Sequence, residues 1–212
     1  MSLIAALFLL IATPDLEMLV HVPLLSHGSA KKVLLIGEEP LAELLRHPTV
    51  EAIVLLSPTP SSNPKVKSHA QDPLANLKAT EETVDAIHST SPLTPECASL
   101  ASDHLAKDGI LATRSTPSPS SLPHACFYLA ITDTGPTYFL LSTKNPSHLK
   151  TPKKTLSQRL RALLGPLHYY TPAIHKASFA LPKDAEQTLK KRQKSEGKRQ
   201  KCGPQLRAEN QM

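Results

Sequence analysis

The chain has 212 residues, 40% of them hydrophobic and 20% charged, which is enough for one sizeable core and excludes a disordered polymer. Three widely separated cysteines (Cys97, Cys126, Cys202) and no CxxC spacing exclude a disulfide framework or a cysteine-built zinc site and fit a reducing cytosol, so a cytoplasmic location is expected. The net charge of +6 gathers in a tail, where nine of the thirty residues from Lys183 to Met212 are Lys or Arg; with no aromatic or glycine motif beside them, a solvated extension is expected rather than a nucleic-acid arm.

Leu3 to Ala12 is an apolar run too short to span a membrane and without a basic leader. It reads as a buried strand, with a secretory segment as the alternative. Thr13-Pro14-Asp15 is a helix start: a hydroxyl at the N-cap, Pro in the first turn and an acid near the positive end of the dipole. Leu16, Leu19, Val20, Pro23 and Leu24 then predict a helix that packs one face on a core. Lys32 to Gly37 and Ala52 to Leu56 are continuous apolar runs, as expected of strands buried on both faces, and Leu41, Leu44 and Leu45 give a short helix between them. This is a parallel βαβ unit.

Ser57 to Pro64 is a connection rich in Pro and Ser. A third strand is expected within Lys65–Ala70, a helix capped by Asp72-Pro73, and a fourth strand over Val84–His88. Thr94-Pro95-Glu96 starts a helix stopped by Gly109, and Ile110–Thr113 makes a fifth strand. After a second Ser/Pro loop, Ser115 to Pro123, the runs Cys126–Ile131 and Tyr138–Ser142 predict an antiparallel hairpin with a five-residue turn. A helix over Leu156–Leu164 ends at Gly165-Pro166, and a last one begins near Pro182. Residues 1–190 are expected to form one α/β domain and 191–212 a basic, disordered tail.

A hairpin-closed, mostly parallel sheet is the shape of the class I methyltransferase-like (Rossmann-like) fold, and particular residues point further. Glu17-Met18-Leu19-Val20-His21-Val22-Pro23-Leu24-Leu25-Ser26-His27 resembles the E-M-L-x-H-x-P-L-x-x-H helix of spermidine synthases, the polyamine aminopropyltransferases. Arg46-His47-Pro48-Thr49-Val50-Glu51 is similar to the family's R-H-x-x-V-E turn, and Asp108-Gly109-Ile110-Leu111 to its entry into the fifth strand. The segment from Tyr169 to Pro182 resembles the Y-Y-N-P-x-I-H-x-A-A-F-A-L-P stretch of bacterial members. The matches run in the family's order over about residues 9–190, those of a shortened, divergent member in which the family's N-terminal β-domain is largely missing.

The resemblance implies transfer of an aminopropyl group from decarboxylated S-adenosylmethionine, as co-substrate, to putrescine, with no metal or other cofactor. The partners it implies are small molecules and, in a homodimer, a second copy of the chain, without membrane or nucleic acid. The chemistry needs a deprotonated amine and anionic groups to seat two cations.

Several family positions differ. The Gly-rich loop after the first strand is reduced to Gly37-Glu38-Glu39-Pro40, the ribose-holding acid falls at Ser57, and the motif with the proton-abstracting Asp falls on Ser89-Thr90-Ser91-Pro92. No catalytic residue can be assigned. The candidate substrate contacts are Asp72, Gly37, Glu38, Glu17 and His21. Asp72 is read as an adenine contact or a helix cap, Glu38 as a replacement carboxylate or a solvated acid, and the Glu17/His21 pair as ligand or packing. Tyr170 and His175 are candidates for a pocket mouth. The alternative to an enzyme is a lapsed homologue acting as a binding or regulatory protein.

Overall fold

The computed structural model describes residues 13–70, 72–79, 82–114 and 122–181. The expectations for Leu3–Ala12, for most of the Ser115–Pro123 loop, for a helix from Pro182 and for the basic tail lie outside the described residues.

In chain order the elements are α1 (Pro14–His27), β1 (Lys32–Ile36), α2 (Leu41–Leu44), β2 (Ala52–Leu56), β3 (Val66–His69), α3 (Pro73–Ala79), β4 (Val84–Ser89), α4 (Pro95–His104), β5 (Leu105–Arg114), β6 (His124–Thr132), β7 (Gly135–Thr143), a 3-10 turn at Pro146–Lys150, α5 (Lys153–Leu160) and α6 (Pro172–Ser178). The seven strands form one sheet in the order β3-β2-β1-β4-β5-β7-β6. β1 to β5 run parallel, and β7 returns antiparallel beside β5 with β6 outside it. The strand order reverses between β1 and β4, the position at which open α/β sheets bind ligands, beyond the carboxyl ends of the strands.

Side chains alternate across β1. Val33 and Leu35 join one core cluster with Met18, Leu19 and Leu156. Leu34 and Ile36 join a second, on the other face, with Leu77 and Ala101 of α3 and α4. Both faces are covered, which is why β1 reads as an unbroken apolar run. Each large aliphatic side chain fully buried here contributes about 1.5–3 kcal/mol.

Five expectations need correction. α1 does not lay a single stripe on the core, because all eleven residues from Glu17 to His27 are buried. The sheet lies on one side of it, and α2, α5 and the 3-10 turn pack around it. α1 closes at Gly28, which takes the left-handed φ of 83°. A Cβ there would stand 2.0 Å from Cζ of Arg159, so the position requires glycine twice over.

α4 stops at His104 rather than Gly109, and β5 begins at once at Leu105. Val84 pairs with Leu105 but Ala86 pairs with Ile110, so residues 106–109 bulge out of the ladder. The hairpin strands are longer than expected and leave a two-residue turn, since Thr132 pairs directly with Gly135. The φ of 118° at Gly135 makes that closure possible. α5 lies earlier than expected, and the chain after it is drawn away when Leu164 N–H donates to Arg46 O at 3.0 Å. Residues 172–178, for which no helix was expected, form one whose N-cap Thr171 accepts from Ile174 N–H. Among the described residues no helix is long and apolar enough to cross a membrane.

Candidate functional site

Two polar constellations surround α1. The first is a buried belt that fastens the segment from His168 to Phe179 onto the helix. Glu17 is fully buried, and its carboxylate accepts from the backbone N–H groups of His168 (2.7 Å), Tyr169 (2.9 Å) and Tyr170 (2.7 Å). His21, one turn on and also fully buried, donates from Nε2 to Glu43 at 2.8 Å, and its Nδ1 lies 2.8 Å from His47 Nε2. Arg46 grips both oxygens of Glu43 at 3.1 Å and donates to the carbonyls of Leu164 and Pro166. Tyr170 and His175, candidates for a pocket mouth, are instead buried and bonded to each other at 2.8 Å.

These partners fix the charge states. Burial works against ionised Glu43, but the hydrogen bond and charge of His21, with Arg46, hold its pKa below the usual carboxylate range. Burial drives His47 well below its ordinary value, helped by the neighbouring His21, His88 and Arg46. His88 is pushed down to about 4 by burial; its Nδ1–H donates to Leu19 O at 3.1 Å, and its Nε2 is buried without a hydrogen-bond partner. His175 falls to about 4 through burial and nearby Lys176. Glu17 and His21 are therefore committed to protein partners, a placement that differs from the substrate contacts expected of them.

The second constellation is the carboxyl edge of the sheet at the switch point. Gly37 follows β1 with φ 93° and is tied to β2 through Leu56 O at 3.1 Å. A Cβ on Gly37 would lie 2.3 Å from Oγ1 of Thr90, so β1 and β4 leave no room there for a side chain. Ser57, at the end of β2, donates from Oγ to Glu38 Oε2 at 3.0 Å and accepts from Thr59 N–H at 3.1 Å. A carboxylate is thus anchored by the serine that follows β2.

Across the switch point the groups are hydroxyls. Ser89 Oγ donates to Ser91 O at 2.7 Å, Thr90 Oγ1 to Ile36 O at 3.4 Å, and Thr113 Oγ1 to Ser91 O at 2.8 Å. Arg114, ending β5, pairs with Asp15 in the first turn of α1. Asp72 lies exposed just after β3, and its Oδ2 accepts from Ala75 N–H at 3.2 Å. It is a helix cap on the same edge.

The structure brings Gly37, Glu38 and Asp72 to one edge and places Glu17 and His21 in the belt. Sequence reasoning missed Glu43 and the Glu38–Ser57 pair. The i, i+3 spacing of Glu43 and Arg46 could have flagged the first. Nothing local signals the second, because its members are 19 residues apart, in the loops that follow β1 and β2.

No family model matches the chain. The polyamine aminopropyltransferases of Yersinia pestis (strain Pestoides F) and Yersinia pseudotuberculosis (strain YPIII) are each 31% identical to it over 82% of this chain and 76% of their own. Among solved structures, the spermidine synthase from Thermotoga maritima superposes with a TM-score of 0.73 at 23% identity, covering 84% of this chain and 74% of its own. A spermidine synthase in complex with the transition-state analogue AdoDATO gives the same TM-score at 22% identity. The structural likeness carries the fold: a seven-stranded, mostly parallel sheet closed by an antiparallel hairpin.

Proposed function

The chain belongs to the polyamine aminopropyltransferase (spermidine synthase) family, and from that premise we propose that it binds the nucleoside of decarboxylated S-adenosylmethionine and passes its aminopropyl group to putrescine slowly. The observation that carries this reading is the Glu38–Ser57 pair at the carboxyl ends of β1 and β2. A carboxylate is a strong acceptor for the hydroxyls of a ribose, which a lone serine is not. Glu38 makes up for the acid lost at Ser57, Gly37 lets the backbone approach, and Asp72 offers a carboxylate to the adenine amino group.

The amine half of the site is poorer. Transfer begins when the amine nitrogen attacks the carbon bonded to the sulfonium; the C–S bond breaks, its electron pair stays on sulfur, and methylthioadenosine leaves. The nitrogen must first lose its proton. At Ser89-Thr90-Ser91 the side chains are hydroxyls, and those of Ser89 and Thr90 are turned to backbone carbonyls. Asp15, the carboxylate at the start of α1, is paired with Arg114. A diammonium chain meets little negative charge there, and among these described residues no carboxylate is free to take its proton, which passes to water instead.

The missing base also favours a second reading, a lapsed homologue that binds the nucleoside and regulates. Spermidine formation by the full chain, measured beside Thr90→Asp, separates the two. Slow turnover that rises about 10²–10⁴-fold in the variant is expected of the enzyme. No turnover in either protein, with nucleoside binding intact, leaves the binding protein.

A further inference from the structure

The crevice and the belt leave one group of ligating side chains unused, at the amino edge of the sheet. His27 closes α1, Asp108 lies in the bulge of β5, and His148 sits in the 3-10 turn after β7. Their ligand atoms all lie within 4.8 Å of one another. Both rings are buried, with centroids 4.8 Å apart, while the Asp108 side chain is half exposed and opens the group to solvent.

We propose that His27, Asp108 and His148 form a binding site for a divalent transition-metal ion of the zinc class, with water completing the coordination. Two imidazoles and a carboxylate are ordinary ligands for such an ion. Donor atoms about 2.0–2.2 Å from a tetrahedral zinc stand roughly 3.4 Å from one another. His27 Nε2 and Asp108 Oδ2 are 3.7 Å apart, too far for a hydrogen bond and only a few tenths of an ångström from the metal-bridged spacing.

The hydrogen bonds around the group orient it. His27 Nε2 is buried without a partner, a costly condition for a polar atom that serves only packing. Thr143 Oγ1 lies within reach of the carbonyls of Gly109 (3.1 Å) and Asn145 (3.2 Å), to which it can only donate. Its single proton goes to one of them, and it accepts from Asn145 N–H at 3.0 Å and from His148 Nδ1–H at 3.2 Å. His148 therefore keeps its Nε2 lone pair for a ligand, with the hydroxyl as the outer partner that metal-bound histidines commonly have. His27 must move its proton to Nδ1, giving up the 3.3 Å contact from Ser29 N–H, a long and weak bond.

Arg159 opposes an added cation, but its Nη1 is held by the carbonyls of Leu25 and Ser26 at 2.6 and 2.8 Å. Asp108 and Asp85 supply the balancing charge beside His27. An ion here would join the end of α1, the β5 bulge and the turn after β7. The site is remote from the crevice, so its test is independent of turnover.

The test is zinc titration by calorimetry into chelator-treated, dialysed full-length chain, with cobalt(II) absorption as a second readout. One equivalent should bind with visible d–d bands, and zinc should raise the melting temperature. Asp108→Asn changes an exposed residue and should fold normally, yet weaken zinc binding by about tenfold or more. His148→Gln should do the same, whereas Asp103→Asn, an exposed acid on α4, should change nothing. The proposal is overturned if the wild type shows no stoichiometric site, or if a folded Asp108→Asn variant binds zinc as the wild type does.

Discussion

The belt around α1 and the carboxyl edge of the sheet lie on one domain but treat their charged residues differently. In the belt, Glu17, Glu43, Arg46 and His21 are each held by two or more partners, and most are shut away from water. At the carboxyl edge, Glu38 and Asp72 are exposed and each has one short side-chain contact. A buried polar group left without its partner costs roughly 1–3 kcal/mol, so each member of the belt constrains the others.

The sharpest way to break the comparison is Glu17→Ala. Three backbone N–H groups lose their acceptor in a dry interior, and stability should fall by about 3–5 kcal/mol. Glu17→Gln, which keeps one acceptor oxygen, should lose less. Urea unfolding measures both, and a variant as stable as the wild type would mean that the belt holds nothing.

Acid should undo the belt before it reaches the edge. His88 and His175 titrate near 4 in the folded chain against 6.5 in an exposed imidazole, and His47 is lowered in the same direction. The unfolded chain therefore binds more protons between those values. The stability is fully present above about pH 6.5 and is lost as pH falls toward 4. Melting temperature against pH should decline through that window, and a flat profile would show these histidines to be solvated.

How much of this was legible in the sequence follows the same division. β1 and β2 were readable because strands covered on both faces need unbroken apolar runs, and α4 was announced by Thr94-Pro95-Glu96. The start of β5 was not readable, since the 106–109 bulge puts Lys107, Asp108 and Gly109 where a helix end was expected. Gly37 and Asp72 follow β1 and β3 at the carboxyl edge of the sheet, a placement legible from the strand ends alone. The i, i+4 spacing of Glu17 and His21 admits a ligand pair or, more readily, packing within the helix, and the distant backbone of 168–170 and the side chains of Glu43 and His47 decide for packing. The His27–Asp108–His148 group spans 121 positions of chain, and no spacing rule reaches that far.

The central claim is that the edge keeps a nucleoside half built on Glu38. Calorimetric titration of methylthioadenosine into the wild type and into Glu38→Gln tests it most directly. Glu38 is exposed, so the variant should melt with the wild type. Replacing a charged acceptor by a neutral one should weaken nucleoside binding by about 1–2 kcal/mol, roughly 5- to 30-fold. Equal affinity in the two proteins, or no binding by the wild type, would contradict the account.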